Sequence, residues 1–407
     1  MRLADLIPPR VSAAVGGLLA ALPDAVGRRL RPAHYRGMPA ELPPIAPMPA
    51  GERRVLIGVM NTAGQAHRWA AALRAMPGVS AVNVSAVEAG FAFASDETIP
   101  AVVQRASRDW QREHLRVRGL SATDVVVESG LTIFGPAVRH SLQREVRALQ
   151  RAGIRVAVLC HGSDVRDVEA LNARNPHSPY LVEPLASAVL AMQRRTRERR
   201  RVIRATGVPV LGSTQGVLLD LPEGTWVPVV VDPDAWAVDR PPFSGAELPL
   251  VVHAPSQAAI KGSDIVDQVV GQLVEEGRVR YERLTGVTHD QVREAYRRAD
   301  IMIDSLRIGG YGAAACEAMA AGRVVVSNAA ASYREHLRAT EGVELPIVQA
   351  DPDSLDTVLR SVLDDPEAAA QIAATGPAYV RALHDGRVSA QRILAALDSP
   401  AALGARQ

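Results

Sequence analysis

Short β-branched runs alternate with longer stretches in which apolar residues recur every three or four positions, from about residue 52 to about 395. Near-continuous Val and Ile mark a strand buried on both faces, and the wider spacing marks one apolar face of a helix. One series of expected strands lies at 55–60, 81–87, 124–128, 155–160, 209–213 and 226–231. A second lies at 250–253, 279–285, 301–304, 323–327 and 345–349. Residues 263–274 and 289–298 have helical spacing and are expected to cover the second sheet. Such alternation builds parallel sheets, so the predicted class is α/β with two Rossmann-like domains.

Between the series, 232–249 carries Pro233, Pro241, Pro242, Ser244, Gly245 and Pro249, a composition that suits an interdomain linker and hinge. The expected division is a basic and apolar leader at 1–50, a first domain at 51–232, the linker at 233–249, a second domain at 250–385, and a C-terminal helix and tail at 386–407. Sheets facing each other across a hinge place a ligand cleft at the carboxyl ends of their strands.

The length of 407 residues agrees with two domains. Lys and Arg number 46 against 44 Asp and Glu, which gives no global electrostatic case for a nucleic-acid partner. Cys160 and Cys316 stand far apart in apolar segments, as expected of a reduced, cytoplasmic protein. The apolar run 11–22 is shorter than the roughly 20 residues of a spanning helix. Asp5 before it, and Arg28, Arg29 and Arg31 after it, do not suit a signal peptide. Arg194, Arg195, Arg197, Arg199, Arg200, Arg201 and Arg204 fall on one expected helix and its exit. A solvated face is the simpler reading; with the leader's arginines, the cluster permits peripheral contact with an anionic membrane. It lacks the interleaved aromatics of a single-strand nucleic-acid site.

The loops after strands hold the candidate chemistry. Gly64 and Gln65 turn the first expected strand into a helix and can bring backbone N–H groups against an anion, without the G-x-G-x-x-G fingerprint of a dinucleotide site. His161-Gly162-Ser163-Asp164 ends the strand at 155–160; His161 is a candidate ligand contact, and Asp164 either another or a helix cap. In the second half, Lys261 stands over a helix start, where a compact cation pairs with phosphate. Gly309-Gly310-Tyr311-Gly312 then opens a helix of small residues containing Glu317. A carboxylate there needs hydrogen-bond donors, which ribose hydroxyls or a neighbouring arginine such as Arg323 can supply. Asp232-Pro233-Asp234 and Asp351-Pro352-Asp353 look like metal-binding pairs, but one falls in the linker and the other starts an expected helix, so no metal ligand is assigned.

Lys261-Gly262 followed by Glu317-Ala318-Met319-Ala320-Ala321-Gly322 resembles the family-4 retaining glycosyltransferases, whose second lobe carries a Lys-Gly pair and an E-A-M-A-x-G block. Ala63-Gly64-Gln65, His161-Gly162-Ser163-Asp164, the approach from Trp226 to Asp232 and His384-Asp385-Gly386-Arg387 are similar to family features too, so the resemblance spans about 52–395. It implies the GT-B architecture, in which two Rossmann-like domains face each other across a cleft and the last helix crosses back to the first. It further implies transfer of a sugar from a UDP-sugar or GDP-sugar with retention, with neither cofactor nor metal, to a small-molecule, glycan or lipid-linked acceptor. Lys261 would bind the diphosphate, Glu317 the ribose, 309–312 the phosphate or sugar, and His161 the transferred sugar; Gly64, Gln65 and Ser256 would join the donor site, and Asp164 and Arg166 would contact sugar or acceptor. The family's first paired glutamate falls at Gly309, and the basic partner of its lysine at Pro255 or Ser256, leaving Arg307 or Arg166 to compensate. A nucleotide-sugar epimerase of the same fold and a catalytically silent sugar or nucleotide binder are the alternatives.

Overall fold

Val55 and Ile57 leave the first strand on one side and Leu56 on the other, all without exposed surface. This is the alternation of a pleated strand covered on both faces. The computed structural model describes residues 22–88, 93–245 and 247–404, and its strands form two sheets. The first contains β1 (Arg53–Val59), β2 (Val79–Val87), β3 (Glu97–Pro100), β4 (Asp124–Glu128), β5 (Arg155–Cys160), β6 (Val210–Gly212) and β7 (Thr225–Trp226), in the order β3-β2-β1-β4-β5-β6-β7. The second contains β8 (Leu250–His253), β9 (Arg280–Arg283), β10 (Ile301–Ile303), β11 (Val324–Ser327) and β12 (Val348–Gln349), in the order β12-β11-β10-β8-β9. Every pairing is parallel. Strand order reverses between β1 and β4 and between β8 and β10, the crevices in which open parallel sheets hold ligands.

The α/β class and the returning C-terminal helix are both present. Ala390, Ile393 and Leu397 of the helix Arg387–Asp398 share one apolar cluster with Val55, Ile57 and Trp69 of the first lobe. At the return, Gly386 has φ +103°, and a Cβ there would lie 2.7 Å from that of Ala72, so only glycine lets the helix start against the first lobe.

Two strand expectations change. The edge strand β3 is four residues long and includes a proline, too brief to stand out as an apolar run. The run at 226–231 pairs with the sheet only through Thr225 and Trp226, then leaves it. Side chains from two helices and the crossing turn take the place of a neighbouring strand. Trp69 Nε1 donates to the Pro228 carbonyl at 3.0 Å and Ser389 Oγ to the same carbonyl at 2.8 Å. Gln65 exchanges two bonds with Val230, at 3.2 and 2.6 Å. The His384 ring meets the Val229 carbonyl at 2.8 Å, and Val231 N donates to the His384 carbonyl at 2.8 Å. Every backbone group in a buried segment needs such a partner.

Most of the apolar run at 11–22 lies outside the described residues. From Asp24 onward the leader lies on the first lobe. Arg108 N donates to Asp24 at 2.8 Å, Trp110 Nε1 to the Pro43 carbonyl at 2.8 Å, and Met48 N to Ser121 Oγ at 2.8 Å. The described residues of the linker lie along the second lobe: Trp236 is buried against Tyr296, and Asp300 accepts from Arg240 and Phe243 N at 2.9 Å and from Leu250 N at 2.8 Å.

Candidate functional site

His253 ends β8 with both ring nitrogens engaged, Nδ1 with the Ile303 carbonyl and Nε2 with Ser263 Oγ, each at 2.8 Å. Burial lowers its pKa, so the ring is neutral and serves as a rivet between β8, β10 and the start of the helix Ser263–Glu275. The loop riveted there carries Lys261, whose ammonium pairs with Asp304 just beyond β10, across the point where strand order reverses. Asp304 is buried, and its second oxygen has no hydrogen-bond partner among the described residues.

After β10 the chain folds flat against Tyr333, where a Cβ on Gly310 would lie 2.6 Å from the ring. It then enters the helix Ala313–Ala320, which starts at Gly312 without a side-chain cap. The first amides of that helix are therefore left for another acceptor. Glu317, 6 % exposed, accepts from His289 Nε2 at 2.9 Å and has the Arg68 guanidinium at 3.7 Å. Arg323, the rival partner suggested by proximity in sequence, bonds the Ala321 and Ala299 carbonyls at 2.8 Å. The Tyr296 hydroxyl beside them is buried without a hydrogen-bond partner among the described residues; burial first, then the charges of Glu317 and Asp304, push its pKa up. Orphaned polar atoms of this kind are uncommon in protein interiors, and each needs a partner that the described residues do not supply.

Across from this lobe, the turn through Ala63 and Gly64 leads into the helix Gln65–Arg74. It presents Gly64 and Arg68 to the cleft. Gln65 is turned away: its amide is consumed by Val230, so its side chain supports the chain crossing and does not reach the cleft. His161 stacks on Trp69 at 5.8 Å and engages Glu128 through Nε2 at 2.9 Å. Glu128 has no exposed surface and also accepts from Met60 N at 2.9 Å and Asn61 N at 3.0 Å. Asp164 accepts from His161 N and Gly162 N at 3.0 and 2.8 Å, closing its own turn; Asp167 caps the helix that follows.

Two cavities divide the expected residues. Gly64, Arg68, Ser256, Lys261, Ala313 and Glu317 line a cleft of about 490 Å³ between the lobes. Gly309 and Arg166 line a different cavity of about 350 Å³. Gly310, Tyr311, Gly312, His161 and Asp164 line neither; the Tyr311 hydroxyl meets that of Tyr379 at 2.7 Å. Arg307 is occupied with Asp264 at 2.8 Å, so Arg68 from the opposite lobe is the cation that accompanies Lys261 in the cleft. Sequence reading missed Arg68, His289, Asp304 and Glu128, each defined by a partner distant in sequence, and Tyr296, defined by its burial without one. Two of them carried a local signal: Asp304 and Glu128 stand at the carboxyl ends of strands on either side of a reversal.

Asp232 caps the short helix Pro233–Trp236, and Asp351 accepts from Ser354 at the start of the helix Leu355–Asp364. No group of three or more His, Cys, Asp and Glu among the described residues is placed to hold a metal ion. In the arginine-rich helix Val189–Arg204, Arg200 pairs with Asp167, Arg201 with Glu198 and Arg204 with Glu223, while Arg194 and Arg195 face solvent. No helix among the described residues is long and apolar enough to cross a membrane.

Residues 255–395 match the family described as glycosyl transferase-like. No curated protein matches the sequence. Among solved structures, sucrose-phosphate synthase from Thermosynechococcus elongatus is 14 % identical, covers 84 % of this chain and 97 % of its own, and superposes with a TM-score of 0.54. A glycosyltransferase from Rickettsia africae gives 12 %, 85 %, 98 % and 0.53, and Anabaena Alr3699/HepE in complex with UDP and glucose gives 13 %, 84 %, 98 % and 0.51. The second lobe thus carries a glycosyl transferase-like domain, within a chain whose two facing parallel sheets have the GT-B fold of glycosyltransferases.

Proposed function

We propose that the protein transfers a sugar from a nucleoside diphosphate sugar to an acceptor hydroxyl, with retention of configuration. One observation carries this reading: Lys261, Glu317 and the uncapped start of the helix Ala313–Ala320 converge on one interlobe cleft, faced by Gly64 and Arg68. Similarity to a fold found with UDP and glucose supports it.

In this reading the diphosphate lies against the free amides of the helix start and Lys261, and Glu317 receives the ribose hydroxyls in place of its present donors, His289 and Arg68. The bond between the anomeric carbon and the diphosphate oxygen breaks as the acceptor oxygen bonds to that carbon from the same face. The acceptor's proton passes to the departing diphosphate, so no side-chain base is required. Fixed positive charge stabilises the leaving group, the role a divalent ion fills elsewhere. Any hydrogen bond from His161 to the sugar comes from Nδ1, because Nε2 is held by Glu128. Asp164 contributes by fixing the His161 turn. Exposed Arg194 and Arg195 suit contact with an anionic membrane that carries a lipid-linked acceptor.

The test is a thermal-shift series with UDP, GDP and their sugars, followed by assay of nucleoside diphosphate release. Native protein is stabilised by one nucleotide series and releases diphosphate together with a glycosylated acceptor. Folded Lys261→Ala and Glu317→Ala variants lose about a hundredfold or more in turnover. Undiminished turnover in both variants sinks the assignment, and an interconverted nucleotide sugar in place of a glycosylated acceptor identifies an epimerase.

A further inference from the structure

The second cavity has a chemistry of its own. It opens between the lobes beside the end of β5, with Arg166 and Arg174 on the first-lobe side and Gly309, Asn328, Ser332 and Tyr333 on the other. Its volume, about 350 Å³, lies near the lower end of the ~300–1,000 Å³ typical of small-molecule sites. We propose that this cavity is the acceptor site and that it recognises a phosphate monoester on the acceptor. The proposal rests on the donor reading above for the word acceptor.

Its charge carries the argument. Arg166 forms no ion pair among the described residues; its Nη1 donates to the Tyr180 hydroxyl at 3.4 Å. Arg174 stands 3.6 Å from Asp220, longer than a hydrogen bond, and His177 stands 3.4 Å from Asp353 on the rim. The carboxylate lining the cavity, Asp351, is committed: its Oδ1 accepts from Asp353 N, Ser354 N and Ser354 Oγ at 3.1, 2.9 and 2.7 Å. Two guanidiniums therefore face the space, Arg166 without an ion-pair partner among the described residues and Arg174 with Asp220 as a long one, while Asp351 keeps its negative charge at the wall. Their planar donor forks suit an anion with several oxygens, and a phosphate monoester brings close to two negative charges and three acceptor oxygens. The helix Ala331–Glu341, which has no side-chain cap, starts at the same wall and adds backbone donors.

Position relative to the donor cleft supplies the second strand of the argument. Gly309 lines this cavity, and four residues later Ala313 lines the other. One glycine-rich loop thus runs between them, with Tyr311 folded inward onto Tyr379. An acceptor anchored by its phosphate at Arg166 and Arg174 has its remaining hydroxyls on the side toward the donor. The glycine at 309, where the resembled family has a carboxylate, removes a negative charge from the rim of a site for an anion.

The experiment titrates inorganic phosphate into the full chain saturated with UDP, or with GDP if that is the nucleotide bound, and follows binding by calorimetry. Phosphate is expected to bind alongside the nucleotide, at least tenfold more weakly to the Arg166→Gln/Arg174→Gln double variant and unchanged to Lys261→Gln. Circular dichroism and nucleotide binding confirm that the double variant is folded; should it fail to fold, Arg166→Gln alone is expected to weaken phosphate at least threefold and Arg166→Lys to recover part of the loss. Phenyl phosphate is expected to compete with phosphate, and a neutral phenyl glycoside is not. Equal phosphate binding by the arginine variants, no binding to the native chain, or displacement of phosphate by the nucleotide overturns the proposal, and benzoate binding as tightly as phosphate overturns the choice of a monoester. Loss of the donor reading shows separately, as failure of nucleotide to bind the native chain.

Discussion

Two polar clusters, one in each lobe, are of opposite kinds. At the strand ends of the first, groups satisfy one another: Glu128 takes two backbone amides and His161, Asp164 takes two more amides, and Gln65 is consumed by Val230. At those of the second, Asp304 and Tyr296 keep orphaned atoms; uncapped helix starts occur on both sides, at Gly64 and at Gly312, and Gln215 after β6 also keeps its amide atoms unpaired among the described residues. A closed network stabilises the fold and leaves little for a ligand; an open one forgoes stability so that a ligand can complete it. In these terms the corner formed by Glu128, His161 and Asp164 in the first lobe is a wall, and the cluster of Asp304 and Tyr296 in the second a binding face.

The largest effect that could break this comparison belongs to Glu128. Glu128→Ala strands two buried amides and His161, and is expected to cost about 3 kcal/mol in a denaturant melt while leaving nucleotide affinity within about twofold at temperatures where the variant is folded. A fall in affinity without a fall in stability would move Glu128 into the binding machinery.

Next in size is His384 at the chain crossing, whose pKa burial lowers to about 4. Its unfolded value is near 6.5, so as pH falls through 6.5 the unfolded chain takes up a proton that the folded one refuses until about pH 4. Stability is therefore lost across that window, by about 3 kcal/mol at its lower end, and His384→Asn is expected to flatten the melting profile there by that share. His114, lowered by burial to about 3, continues to contribute its own slope in the variant. An unchanged profile would separate the crossing from the closed, buried side of the molecule.

Arg68→Ala sharpens the comparison with the smallest effect. The pair with Glu317 is long and its guanidinium a quarter exposed, so nucleotide affinity should fall only about threefold, measured by titration. A loss as large as that of Lys261→Ala would make the first lobe a full partner in donor binding.

Much of this was legible in the chain itself. The pattern along the chain placed eleven of the twelve strands, though 226–231 only in part; most are buried parallel strands that write themselves as Val- and Ile-rich runs, while the edge strand β9 is Arg-Tyr-Glu-Arg. The lysine and glutamate of one cleft were readable because each ends or follows a strand in a recognisable block. What remained hidden was pairing across distance. Nothing near Glu317 announces His289 or Arg68, and nothing near His161 announces Glu128: the Arg68 contact exists only once the two lobes face each other, and the other two only once distant segments of one lobe are folded together. The segment after Trp226 misled for a related reason: its β-branched residues are extended and buried as a strand would be, but side chains supply the hydrogen bonds. Gly309 stands in a recognisable glycine loop, yet only the fold shows that this loop spans two cavities.

The helix Arg387–Asp398 has a consequence for how the chain is made. Ile393 and Leu397 cover Trp69, Val55 and Ile57, which leave the ribosome more than three hundred residues earlier. The lobe synthesised first is therefore the last to be completed. Throughout translation of the second lobe it carries an unroofed apolar face, which is shielded from other nascent chains only once Ile393 and Leu397 have emerged.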